Sequence, residues 1–188
     1  MSLLPTVIVL ASGRGERFLA SGGTTHKLQA LLAGKPVLEH TLDAVRASGL
    51  PWHLEDAGHP GMGDSIAAAV QATAGSAAGW LILPGDLPLV SVDTLRAVAA
   101  TLVSMAALQS KSLSAVVPVY QGERGHPVGF SAQCGAALAA LQGDKGAAAV
   151  VRACAVQEVI VNDAGCVMDV DTVEALRAAQ AQLNGRHL

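Results

Sequence analysis

The stretch Thr6-Val7-Ile8-Val9-Leu10-Ala11-Ser12-Gly13-Arg14-Gly15-Glu16-Arg17 decides the fold. Its first half is an unbroken β-branched and aliphatic run, the pattern of a strand buried on both faces. Its second half turns at once to glycine, serine and arginine. Strands buried on both faces belong to sheets covered by helices on each side, so this opening predicts an α/β domain. Residues 12–26 then read as one long loop, a length that compact domains reserve for function or mobility.

The rest of the chain keeps the alternation. Pro36 suits the first turn of a helix running to about residue 48, with Gly49 as its stop. Residues 52–54 read as a short strand, 55–63 as a Gly-rich loop and 64–73 as a helix. A second buried strand, 80–83, ends at Pro84-Gly85-Asp86. Ser91 reads as the cap of a helix over 92–105, and 109–114 is the most linker-like stretch. Strands are expected at 115–120 and 127–131 around the turn 121–125, and a further strand at 156–161. Helices are expected at 134–141, 147–152 and 171–183, the last with Asp171 and Glu174 spaced as a variant capping box. Strands alternating with helices predict a three-layer α/β/α architecture. Its sheet should be mostly parallel, with antiparallel pairing near 115–131. All 188 residues are read as one domain.

Composition narrows the partners. Hydrophobic residues make up 51%, which excludes a mainly disordered chain. A net charge of −3 with 3% aromatic residues argues against a nucleic-acid binder. No apolar run is long enough to cross a bilayer and no leader motif opens the chain, so no membrane association is expected and the location is read as cytoplasmic. Cys134, Cys154 and Cys166 show no CxxC spacing and read as small buried hydrophobes. Trp52, Trp80 and Phe130 are expected in the core. His40 is read as a packing or surface histidine.

In open α/β sheets ligands bind at the carboxyl ends of strands, and two segments fall there. In the first, Gly13 and Gly15 would let backbone N–H groups approach phosphates, with Arg14, Arg17 and Lys27 adding charge. In the second, Asp86 ends a buried strand, a setting that suits Mg²⁺, which takes one or two carboxylates plus phosphate oxygens. Each segment has a plainer reading, as a turn in the first case and a cap in the second. Neither GxGxxG nor GxxxxGK[ST] is present, which argues against a dinucleotide dehydrogenase and a P-loop NTPase.

Taken in order, the motifs resemble one family. Leu10–Arg17 followed by Lys27 is similar to the LAxGxxxR…K signature of the MobA-like nucleotidyltransferases, and residues 32–40 to their LxGxPLxxH segment. Gly61-Met62-Gly63-Asp64-Ser65, Pro84-Gly85-Asp86-Leu87-Pro88, Gly125-His126-Pro127, Gly143-Asp144-Lys145-Gly146 and Asp169-Val170-Asp171 complete the series. The last four resemble the MocA branch, the molybdenum-cofactor cytidylyltransferases.

The resemblance implies a Rossmann-like nucleotidyltransferase fold and a Mg²⁺-dependent enzyme. It would move CMP from CTP to molybdopterin and release pyrophosphate. It implies catalytic roles for Arg17, Lys27 and Asp86, and nucleotide contacts from Leu10, Ala11, Ser12, Gly13, Arg14, Gly15, Gly61, Gly63 and Ser65. Metal ligands would be Asp86, Asp171 and Asp169, and the acceptor side His126, Pro127, Asp144 and Lys145. A molybdenum hydroxylase or its chaperone is the implied protein partner. The rival functions are a guanylyltransferase, a sugar- or polyol-phosphate nucleotidyltransferase, and a non-catalytic cofactor chaperone. Departures from the pattern are Ser12 in place of Ala, extra residues at 19–25, a short 50–60 segment, and Ala148 where the family carries Arg.

Overall fold

A computed structural model of the chain describes residues 4–108 and 112–185. The elements run β1 Thr6–Leu10, α1 Glu16–Ala20, β2 Leu31–Leu32, β3 Lys35–Pro36, α2 Val37–Ser48, β4 Trp52–Glu55, α3 Met62–Thr73 and β5 Gly79–Pro84. Then follow α4 Val92–Leu108, β6 Ser114–Tyr120, β7 Glu123–Arg124, β8 Val128–Ser131, α5 Gly135–Ala139, α6 Ala148–Ala153, β9 Ala155–Ile160 and α7 Val173–Gly185. The main sheet has the order β4-β1-β5-β8-β6-β7, with β9 also paired to β6. β1 pairs in parallel with β4 and β5, and β6 with β9. β8 is inserted antiparallel between β5 and β6, which is the antiparallel pairing expected near 115–131.

The continuous apolar runs are buried on both faces because side chains alternate across the sheet. Val7, Val9, Leu81 and Leu83 face α2 and α4, meeting Leu42, Val45, Leu95 and Val98. Ile8, Trp80 and Ile82 face the other way, onto Ile66 and Val70 of α3, Leu138 of α5 and Val150 of α6. A third cluster gathers Phe18, Leu28, Leu32, Leu89 and Val170 with Ala179 of α7. It anchors the segment after β1 and the closing helix to the carboxyl end of the sheet.

Several local expectations need correcting. Residues 12–26 are not one open loop, because α1 forms within them and buries Phe18 at 2% exposure. Its five residues are too few to show a periodicity. Trp52 is not core: it is 41% exposed on an outer strand, with the Arg46 guanidinium 5.7 Å from its ring centroid. The cap of α7 is Thr172, whose Oγ1 accepts the Ala175 N–H at 3.1 Å, so the helix begins at Val173 and Asp171 is free for another role. Of the linker-like stretch 109–114, residues 109–111 lie outside the described residues, and Ser114 already belongs to β6. Ser91 caps α4 as expected, accepting the Thr94 N–H at 3.1 Å. Cys134 and Cys166 are buried and Cys154 half-buried, all as free thiols. Burial pushes the Cys154 thiol up to about 12, with the neighbouring Cys134 adding to it, and Cys166 up to about 11. Among the described residues no helix is long and apolar enough to cross a membrane.

Candidate active site

The carboxyl ends of β1, β4 and β5 open into a cavity of about 460 Å³. After β1 the chain passes through Ser12, Gly13, Arg14 and Gly15 before α1 starts. Gly15 holds φ at +67°, the left-handed region where a Cβ is strained. His26 latches this loop: its Nε2 lies 2.6 Å from the Gly13 carbonyl, and its Nδ1 accepts the Leu28 N–H at 3.3 Å. With Nδ1 accepting, Nε2 carries the proton and donates to Gly13. The same residue starts the turn that carries Lys27. Ser12, the departure from the family pattern, bonds the Ser65 hydroxyl of α3 at 2.5 Å and so ties the loop to that helix.

Lys27 reaches across the cavity floor. Its Nζ lies 2.5 Å from Asp86 Oδ2 and 2.6 Å from Asp171 Oδ1, and Arg17 closes on Asp171 Oδ2 at 2.6 Å. Burial works against the Lys27 ammonium, but the charge and hydrogen bonds of Asp86 and Asp171 outweigh it, so its pKa stands above the ordinary lysine value. Asp171 is opposed by burial too. The hydrogen bonds from Lys27 and Asp169 and the charges of Lys27 and Arg17 hold it below the usual carboxylate range. Asp169 is raised, by burial first and then by its neighbours Asp171 and Asp86.

Asp86, Asp169 and Asp171 each present an oxygen within 4.8 Å of the others. Asp86 Oδ1 is also buried without a hydrogen-bond partner among the described residues. Three converging carboxylates, one of which carries an oxygen without a hydrogen-bond partner, fit an oxygen-seeking divalent cation such as Mg²⁺.

α3 supplies the opposite wall. A Cβ on Gly63 would lie 2.8 Å from the Lys145 carbonyl, and one on Gly61 would run into the backbone of Gly143. The Gly63 N–H bonds the Gly143 carbonyl at 2.8 Å, and Asp64 accepts the Gly143 N–H at 3.0 Å. These two glycines therefore seat the helix against the 142–146 turn.

A second cavity, of about 380 Å³, shares Leu10, Met62 and Pro84 with the first and lies towards β8 and β6. Its floor is apolar, with Ile66, Ile82, Val117, Val128 and Phe130, and its polar groups are His126, Arg124 and Arg152. Burial holds the His126 imidazole below the ordinary histidine range against the pull of Asp86, and its Nδ1 is buried without a partner among the described residues.

The structure thus brings Leu10, Ser12, Gly13, Arg14, Gly15, Arg17, Lys27, Gly61, Ser65, Asp86, Asp144 and Asp171 to one cavity. Asp169 joins through the acidic cluster, and His126 lines the adjoining cavity. Asp169 itself lines neither cavity, and four further expected residues line neither. Ala11 turns its N–H to the Glu55 carbonyl, Gly63 is buried in α3, Pro127 is buried behind His126, and Lys145 is exposed with only its carbonyl packed under Gly63. His26, Glu55, His59, Arg124 and Arg152 were missed. Arg152 had a signal, since it falls one helical turn after Ala148 on α6 and both line the second cavity. His40 has a packing role, with Nε2 2.7 Å from the Leu32 carbonyl.

Known proteins share this architecture. The protein Rv0371c of Mycobacterium tuberculosis H37Rv superposes with a TM-score of 0.74 at 24% identity, covering 96% of this chain and 99% of that one. It has also been solved in complex with manganese. A nucleotidyl transferase from Methanothermobacter thermautotroptrophicus, Mth528, gives a TM-score of 0.75 at 19% identity over 97% and 99% of the two chains. These likenesses show the three-layer nucleotidyltransferase fold. Among curated proteins, the bifunctional protein GlmU of Dechloromonas aromatica (strain RCB) is 31% identical over 113 residues, 48% of this chain. That match spans 24%, about a quarter, of the length of GlmU. The model of the MobA-like NTP transferase domain matches residues 43–159, more than half of the sequence. The chain therefore belongs to the MobA-like NTP transferase family.

Proposed function

We propose that this chain transfers a nucleotidyl group, CMP from CTP in the first instance, to the terminal phosphate of molybdopterin and releases pyrophosphate. The observation that carries this reading is the junction of two cavities at Leu10, Met62 and Pro84, two residues before Asp86. One is lined by the cationic loop and the acidic cluster; the other has an apolar floor with Arg124, Arg152 and His126 at its polar places. A nucleoside triphosphate suits the first, and a phosphorylated organic acceptor with an apolar body suits the second.

In the reaction an oxygen of the acceptor phosphate forms a bond to the α-phosphorus. The bond from that phosphorus to the α,β-bridging oxygen breaks, and pyrophosphate carries away the electron pair. The acceptor is already ionised at neutral pH, so the site has no need of a general base, and positioning with charge neutralisation dominates. Arg14, Arg17, Lys27 and the loop N–H groups face the leaving pyrophosphate. Asp86, Asp169 and Asp171 would hold Mg²⁺, which would supply charge neutralisation at the phosphate oxygens. Lys27 now bridges Asp86 and Asp171 and is positioned to turn towards phosphate when the substrate enters. The manganese complex of the mycobacterial protein supports a divalent ion in this fold. We read the whole chain as one catalytic domain working in the cytoplasm, with a molybdenum hydroxylase or its chaperone as recipient of the product.

The test is pyrophosphate release from the purified protein with Mg²⁺, each of the four NTPs in turn, and either molybdopterin or a sugar phosphate as acceptor. Release with CTP that depends on the acceptor is expected. Release with GTP alone would replace the base assignment, and release only with a sugar phosphate would replace the acceptor.

A further inference from the structure

At the end of β4, across β1 from the strand that leads to Asp86, three titratable side chains meet. Glu55 is 7% exposed. Its Oε1 accepts the Ala57 N–H at 3.2 Å and lies 3.1 Å from His59 Nε2, while its Oε2 lies 3.4 Å from His53 Nε2. His59 belongs both to this group and to the wall of the nucleotide cavity, beside Pro60, Gly61 and Ser65. The 50–60 segment, where the sequence departs from its family in length, is the segment that delivers it.

A carboxylate has no proton to give, so the imidazole nitrogen facing it is the donor. The partner of one ring nitrogen fixes the state of the other, and a neutral His59 with Nε2–H keeps its lone pair on Nδ1. Nδ1 has no hydrogen-bond partner among the described residues. The sheet order places this group at one end of the cavity. The cationic loop follows β1, the acidic cluster begins after β5, and β4 lies on the far side of β1 from β5. A nucleotide with its phosphates between the loop and Asp86 has room to extend its base towards β4, where His59 lines the same cavity.

We infer that His59, held by Glu55, reads the nucleobase by accepting a hydrogen bond from an exocyclic amino group. Cytosine offers such a donor at position 4, where uracil offers a carbonyl lone pair. The inference rests on the nucleotidyltransferase reading above and deepens it by naming the residue that chooses the base. Glu55 is a positioning residue, acting through the tautomer of His59.

CTP and UTP share ribose and triphosphate, so their dissociation constants with Mg²⁺, measured by titration calorimetry, isolate the base. The wild type is expected to bind CTP more tightly on the order of tenfold, as one satisfied against one opposed hydrogen-bond site requires. His59→Phe keeps a ring without nitrogen and should bring the ratio near one by weakening CTP alone. His59→Asn restores an acceptor oxygen and should recover part of the preference. Glu55→Gln can donate to the ring and free the tautomer, so it should lower the ratio while UTP affinity holds.

A purely structural role would weaken both nucleotides alike and leave the ratio unmoved. A wild type without preference for CTP over UTP, or His59→Phe with the wild-type ratio, overturns the inference. If His59→Phe does not fold, by circular dichroism, the ratios of the other two variants decide. If neither nucleotide binds the wild type, the nucleotidyltransferase reading falls and takes this inference with it.

Discussion

Replacing Lys27 by Met keeps the length and apolar stem of the side chain and removes the charge. Lys27 is 14% exposed and sits 2.5 Å from Asp86 and 2.6 Å from Asp171, whose side chains are 12% and 15% exposed. Its loss leaves three carboxylates within 4.8 Å. Breaking a buried pair by deleting one partner costs about 3–5 kcal/mol. Arg17 remains on Asp171 at 2.6 Å but is 78% exposed, and the cluster opens to the cavity, so we take about 2–3 kcal/mol here. At roughly 2–4 °C per kcal/mol for a chain of this size, the melting midpoint should fall by roughly 4–12 °C at neutral pH.

The pH dependence follows from the two shifts. The Lys27 pKa is raised, so its stabilisation is fully present below the ordinary value of 10.5 and is lost as pH rises through the folded value. The Asp171 pKa is lowered, so its contribution is present above the ordinary 3.8 and is lost as pH falls through the folded value. In the variant the Lys27 contribution vanishes, and Asp171 keeps only the parts due to Asp169 and Arg17. The gap between wild type and variant should be widest between these limits and close at acid pH, where Asp169, already raised, takes up a proton first. Mg²⁺ should also lift the midpoint of the variant more than that of the wild type, because no ammonium competes for the carboxylates. A variant that melts with the wild type, or a cluster whose stability ignores Mg²⁺ in both proteins, refutes the reasoning.

Three further outcomes are expected. Asp86→Asn should keep the fold, since the amide replaces a carboxylate of similar shape, while acceptor-dependent pyrophosphate release falls by on the order of a hundredfold or more. Gly15→Ala forces a Cβ into φ +67° and to 3.3 Å from the His26 ring; it should cost about 1–2 kcal/mol in thermal unfolding and weaken NTP binding in calorimetry. Thr172→Ala should remove the cap of α7 for about 1 kcal/mol with unchanged turnover, whereas Asp171→Asn should leave the cap intact and slow the enzyme.

The core was legible in the sequence because strands buried on both faces need no partner to announce themselves. The runs at β1 and β5 carry their own pattern, and Gly49 and Ser91 mark helix ends by local chemistry. What escaped was set by distant groups. Asp171 and Thr172 are both capping types one residue apart. The pull of Lys27, 144 positions away, together with that of Arg17, holds Asp171 off the helix and leaves the cap to Thr172. The site was legible where glycine, lysine and aspartate stand at strand ends. Glu55 and His59 were invisible as a pair, because a carboxylate ending a strand and a histidine in a loop have no spacing rule until the chain folds. Trp52 was misplaced for a related reason: hydrophobicity does not say which strand lies outermost.

The central claim is that the α-phosphoryl group moves to the acceptor and the β- and γ-phosphoryl groups leave together. Incubation of the protein with Mg²⁺, molybdopterin and CTP labelled either at the α- or at the γ-phosphate follows both fates at once. The α-label should appear in the acceptor, in a product that survives phosphatase, and the γ-label in pyrophosphate, in equal amounts. A γ-label found in the acceptor or in free phosphate, or an α-label that stays in CTP, would contradict the account.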